Sequence, residues 1–118
     1  MKEVLRKHTI SFKHAIDGLG WAIRTQPNFR VHLLISAIAL LLSWYLRITR
    51  TEWAIIVFTI VLGLTAEFIN TSIESMTDLI TKEWRAEAKI AKDVAAGMML
   101  TVAVGAVVVA CVIFGQYI

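Results

Sequence analysis

Three long apolar stretches, Val31 to Leu46, Trp53 to Ile73 and Val94 to Ile118, occupy most of this chain and leave it few ways to fold in water. About 20 apolar residues at 1.5 Å each cross the hydrocarbon of a bilayer, where the backbone satisfies its own hydrogen bonds only as a helix or a closed barrel. The first stretch is slightly short, but it spans if Phe29, Arg47 and the Trp44–Tyr45 pair sit at the interfaces. Hydrophobic residues make up 58% of the 118 positions and the mean hydropathy is +0.69, which is too apolar for an ordinary soluble domain. The expectation is an all-α membrane protein forming a single domain over 1–118, with a surface helix at 1–24 and spans at 31–48, 53–76 and 94–117.

Ahead of the first span, Leu5, Phe12, Ile16, Leu19 and Ile23 recur at helical spacing beside a stripe of Arg6, Lys13, Asp17, Gly20 and Arg24. A basic amphipathic helix of this kind lies in the headgroup plane, with Trp21 at the interface, or packs on a partner helix. Residues 1–30 have no apolar core and no small-residue cleavage site, so a cleavable signal peptide is not expected. Pro27 fits the first turn of the following helix, and Thr49-Arg-Thr-Glu52 fits a capping box opening the second span. Lys and Arg number six before the first span, two between the first and second (Arg47, Arg50), and four between the second and third (Lys82, Arg85, Lys89, Lys92). The positive-inside rule then places the N-terminus and the second loop in the cytoplasm and the C-terminus outside. In the third span Gly97, Thr101 and Gly105 make a small-residue stripe suited to close helix contact, and Cys111 reads as a packing residue.

The second span carries the chemistry. Glu67, Asn70, Glu74 and Asp78 stand at offsets that fall within roughly an 80° arc of one helix at 100° per residue. A carboxylate at the centre of a membrane helix costs about 2.5–3.5 kcal/mol on insertion scales, so the stripe needs compensation. Asp78 lies near the cytoplasmic end and Glu67 about 16 Å deeper along the axis. Such a face suits a proton or cation pathway, as in a small proton-coupled transporter using Glu67, or a catalytic metal and base site at the membrane surface. A non-catalytic bundle subunit is the structural alternative.

The adjoining loop favours the catalytic reading, because Lys82, Glu83, Arg85, Lys89, Lys92 and Asp93 bring cations and carboxylates to the cytoplasmic end of the acidic helix. That mixture suits a magnesium nucleotide: carboxylates hold the metal, Lys or Arg neutralises phosphate, and a separate carboxylate takes the proton of an attacking hydroxyl. There is no Walker A sequence. His8, His14 and His32 are scattered and form no metal-ligand cluster, and no Ser-His-Asp or Cys-His nucleophile arrangement is present. His14 reads as an interfacial polar residue. The apolar character argues against nucleic-acid binding.

The run Ala66-Glu-Phe-Ile-Asn-Thr-Ser-Ile-Glu-Ser-Met-Thr-Asp78, followed by Ala91-Lys-Asp-Val-Ala-Ala-Gly97 and preceded by Asn28-Phe-Arg30, resembles the bacterial diacylglycerol kinase family, which includes undecaprenol kinases. The resemblance covers essentially the whole chain. It implies a homotrimer in the bacterial cytoplasmic membrane that transfers the γ-phosphate of ATP, with Mg2+, to a lipid alcohol. By that likeness Glu67 is the general base, Glu74 a ligand of the nucleotide-bound divalent ion, Asn70 a polar member of the same face and Asp78 a supporting acid. Lys92 and Asp93 match nucleotide contacts, Glu83 borders the nucleotide, and Lys7 and His14 approach it from the surface helix. Many relatives carry Glu as a metal ligand where Gln26 stands here. A neutral amide is a weaker ligand for a hard cation, so metal binding would lean on Glu74 and the ATP phosphates. The segment Lys89 to Gly97 resembles the branch in which undecaprenol, ahead of diacylglycerol, is the acceptor.

Overall fold

A computed structural model describes residues 1–118 as four helices: α1 (Lys2–Thr25), α2 (Pro27–Leu46), α3 (Arg50–Ile80) and α4 (Ala86–Phe114). Helices α2, α3 and α4 are each long and apolar enough to cross a bilayer. Only 12 of 118 residues are buried, so most large apolar side chains point away from the bundle, as lipid-facing residues do. The chain is an all-α membrane protein.

The corner between α1 and α2 follows from one proline. Gln26 takes an extended conformation (φ −105°, ψ 103°) because a residue preceding proline is excluded from helical backbone angles, and Pro27 then starts α2. Helix α1 packs on α2, and its single buried residue, Ala22, borders a groove shared with Phe68 and Thr71 of α3. Its apolar row of Leu5, Phe12, Ile16, Leu19 and Ile23 stays exposed, the face an interfacial helix turns to the acyl chains.

Helix α2 ends at Leu46, two residues short of the expected limit at 48, because Arg47 adopts a left-handed conformation (φ 53°, ψ 48°). Its N–H is satisfied by the Ser43 and Trp44 carbonyls. Ile48 then folds inward onto Ile56, Ile113 and Phe114, the small apolar core at this end of the bundle. The capping box forms as its sequence suggests, with the Glu52 N–H donating to Thr49 Oγ1 at 3.2 Å and the Thr49 N–H donating to Glu52 Oε2 at 2.9 Å. Beyond α4, the Tyr117 hydroxyl donates to the same Glu52 carboxylate and ties the chain's end to the start of α3.

Helices α3 and α4 form the most extensive packed pair, antiparallel across the loop at 81–85. With 31 and 29 residues they run about 46 and 43 Å, longer than the hydrocarbon, so the polar ends of both project at one surface. Small buried residues set the approach of the helices: Gly63 and Ala66 on α3, and Ala95 on α4. The stripe of Gly97, Thr101 and Gly105 is not part of this contact. All three are exposed, and a Cβ added at either glycine would meet nothing. Cys111 is likewise exposed rather than packed.

Candidate functional site

Because α3 is an unbroken helix, the acidic stripe keeps its common face, but its members sit in different surroundings. Glu67 is buried, with 4% of its surface exposed, Asn70 is half-buried, and Glu74 and Asp78 are exposed. Only the deepest carboxylate is therefore shielded by the bundle itself.

The enclosure of Glu67 is built by α2. Phe29, buried in the first turn of α2, stacks at a tilt on Phe68 with ring centroids 4.8 Å apart, and fixes α2 against α3 beside the carboxylate. One turn further along α2, His32 brings Nε2 to 3.6 Å from Glu67 Oε2. Sequence reasoning left His32 without a role. The available signal was spacing: Phe29, His32, Ser36, Ala39 and Ser43 recur at three and four residues, a small and polar stripe in an otherwise aliphatic helix. Ser36 and Ser43 return their hydroxyls to the carbonyls of His32 and Ala39, each at 2.7 Å, which lets that face approach α3 without unsatisfied polar groups.

At the projecting ends of α3 and α4 the charges meet in an open cleft of about 440 Å³, whose lining includes Asp78, Lys82, Glu83, Trp84, Lys92 and Asp93. Lys92 Nζ donates to Asp78 Oδ1 at 2.8 Å and so links the two helices. Glu74 lies close enough for its charge to act on the same ammonium. Asp93 pairs with Lys89 one turn before it, and Arg85 reaches Glu83 at 3.4 Å. These are solvent-exposed pairs, screened by water and salt, so they add little to stability and are free to exchange partners.

The structure thus brings Asp78, Glu83, Lys92 and Asp93 together, with Glu74 at the edge and Glu67 deeper on the same helix. His14 lines a separate groove of about 460 Å³ between α1 and α3, beside Phe68, Thr71 and Ser72. Lys7 is exposed on the first half of α1 and is not among the residues lining the cleft. Gln26 is half-buried at the α1–α2 corner, where its amide donates to Thr25 Oγ1 at 3.3 Å. No three His, Cys, Asp or Glu side chains converge on a point where a metal ion could be held by protein alone.

An enclosed carboxylate on the same helix as an exposed cation-and-carboxylate cleft defines a class: a small three-span membrane protein built to act where lipid meets water. The sequence profile described as prokaryotic diacylglycerol kinase matches residues 13–114. The chain is 36% identical over 101 residues to a Synechocystis protein named diacylglycerol kinase, an alignment covering 85% of this chain and 58% of that protein. It is also 36% identical over 104 residues to the undecaprenol kinase of Bacillus subtilis, covering 88% of this chain and 85% of that one. A diacylglycerol kinase of Haemophilus influenzae is 26% identical over 83 residues, 70% of each chain. The chain belongs to the prokaryotic diacylglycerol kinase family, a family of lipid kinases.

Proposed function

We propose that this chain transfers the γ-phosphate of ATP to the hydroxyl of a membrane lipid alcohol at the cytoplasmic face of the bacterial inner membrane, giving the lipid phosphate and ADP. The observation that carries the reading is the division of the α3 face into a buried Glu67 and an exposed cleft around Lys92 and Asp78. Phosphoryl transfer asks little covalent chemistry of a protein; it needs positioning, charge stabilisation and a base for the attacking hydroxyl.

Glu67 takes the role of base in this reading, supported by its burial on the α3 face. A lipid hydroxyl entering from the bilayer attacks the γ-phosphorus, its oxygen forms the new P–O bond, the bond to the β–γ bridging oxygen breaks, and the hydroxyl proton passes to the Glu67 carboxylate. Asn70, half-buried one turn toward the surface, is a polar neighbour on the path between lipid and nucleotide. Lys92 turns from its exposed pairing with Asp78 to neutralise phosphate oxygens, and Asp78 holds the ammonium at the mouth of the cleft until the nucleotide arrives. Asp93, Glu83 and the aromatic ring of Trp84 border the nucleotide. Lys7 and His14 would approach it from α1.

Glu74 suits a magnesium ion that arrives with the nucleotide. Mg2+ keeps several waters and is held by one or two carboxylates plus substrate phosphates, so a single exposed carboxylate fits and an all-protein cage is not required. Glu74 would hold such an ion together with the ATP phosphates, and the chemistry supplied there would be charge neutralisation on the phosphoryl oxygens. Gln26 contributes at most a neutral oxygen.

Undecaprenol is the preferred acceptor over diacylglycerol. Support comes from the segment Lys89 to Gly97, with its resemblance to the undecaprenol-phosphorylating branch, and from the 36% identity to the Bacillus undecaprenol kinase. The outward stripe of Gly97, Thr101 and Gly105 gives a second and third copy a place to pack in the homotrimer that the family resemblance implies. The family match favours this reading over a proton-coupled transporter or a non-catalytic subunit. The test is purified protein in lipid vesicles with radiolabelled MgATP and a panel of lipid alcohols. Label in undecaprenyl phosphate, exceeding that in phosphatidic acid, is expected; no label in any lipid would contradict the proposal.

A further inference from the structure

Glu67 presents an unsolved physical problem if its neighbours are only apolar. Its side chain is 5% exposed, and an ionised carboxylate at that depth needs a donor. No hydroxyl, amide or ammonium donates to it; the one polar side chain at hand is His32, with Nε2 at 3.6 Å from Oε2. The two exposed carboxylates of the same stripe need no such help, since water and Lys92 serve them.

The histidine ring is also held so that its Nε2 edge faces the carboxylate. The other ring nitrogen, Nδ1, lies over Gly63, one turn before Glu67 on α3, where an added Cβ would stand 3.9 Å from it. The ring makes no hydrogen bond to its own helix, in contrast to His8, whose Nδ1 lies 2.7 Å from the Val4 carbonyl oxygen. His32 further forms part of the wall of a cavity of about 140 Å³ between the three spans, whose lining includes Ser36, Thr59, Gly63, Val102 and Phe114 but not Glu67. The ring therefore stands between this cavity and the carboxylate.

We propose that His32 is the positioning residue for Glu67: its imidazole donates Nε2–H to Oε2, fixes the rotamer of the buried carboxylate, and leaves Oε1 for the lipid hydroxyl. The distance closes by a few tenths of an ångström when the hydrogen bond forms. The proposal rests on the reading of Glu67 as the base that receives the hydroxyl proton.

Two variants and one spectroscopic measurement test it. His32→Gln keeps a side-chain N–H at about the reach of Nε2, whereas His32→Leu fills similar space without a donor. In vesicles with saturating lipid alcohol, His32→Leu should lower kcat by about 10- to 100-fold, a part of what a general base itself contributes, while KM for MgATP stays within about twofold. His32→Gln should recover most of that loss. A His32→Leu enzyme with unchanged kcat, a change confined to KM, or equal losses in both variants would overturn the donor role. Independently of turnover, the imidazole nitrogen resonances of His32 in 15N-histidine-labelled protein should shift on Glu67→Gln while those of His8 and His14 stay put. A His32 signal indifferent to Glu67→Gln would refute the pairing. If no lipid alcohol is phosphorylated by the unaltered protein, the kinase reading fails, and the resonance measurement still decides whether the pair exists.

Discussion

Two carboxylates about 16 Å apart along one face of α3 each meet a basic side chain of a neighbouring helix, Lys92 of α4 and His32 of α2, and the two pairs answer to different physics. Asp78 and Lys92 meet at 2.8 Å with roughly half of each side chain in solvent, whereas Glu67 and His32 stand 3.6 Å apart with the carboxylate almost wholly enclosed. The tighter contact is the weaker commitment: water replaces either partner at small cost, so the pair can open for a nucleotide. The looser contact is the more consequential, because a buried carboxylate has nowhere else to turn. One helix thereby carries both a polar cleft open to solvent and a group enclosed by its neighbours.

The largest expected effect comes from the enclosed pair. Glu67→Gln should lower kcat by about 10²- to 10⁴-fold, the range a general base contributes, read as label transferred from ATP to lipid. At the cleft, Lys92→Met removes a charge-assisted contact to phosphate worth about 1.5–3 kcal/mol and should raise KM for MgATP by roughly 10- to 100-fold. If Lys92→Met instead left KM unchanged and lowered only kcat, the cleft would not be the nucleotide's binding place. A smaller gain is expected from Gln26→Glu, which restores a hard anionic ligand; half-maximal activity should need severalfold less Mg2+. An unchanged requirement would detach Gln26 from the metal.

The smallest effects lie outside both pairs. Thr49→Ala breaks the capping box and should cost about 1 kcal/mol, seen as a lower unfolding midpoint in detergent with turnover per folded molecule preserved. Loss of turnover with no change in stability would mean the far end of α3 is coupled to the site.

Much of this architecture is legible in the sequence because it is set by local rules. Hydropathy marks the three spans, Pro27 marks the corner, and Thr49 with Glu52 marks the start of α3. Helical periodicity likewise puts Glu67, Asn70, Glu74 and Asp78 on one face. What periodicity does not carry is which part of a face is covered, since that depends on where neighbouring helices begin and end. Helix α2 reaches Glu67 through Phe29 and His32 but leaves Glu74 open. The same limit explains the glycine stripe of α4: small residues say that something approaches closely, and within one chain that something is not α3. His32 escaped notice for a related reason. A lone histidine acquires meaning from its partner, and the partner lies 35 residues away in sequence, on another helix.

The division of labour along α3 is tested most directly by the equilibrium affinity of the Glu67→Gln variant for MgATP. A dissociation constant within about twofold of the unaltered protein, alongside the loss of turnover, is expected, because base and nucleotide contacts are different residues on different parts of the helix. A variant that no longer binds MgATP, or one that binds it and still turns over normally, would contradict the assignment of Glu67 as an enclosed base separate from the cleft.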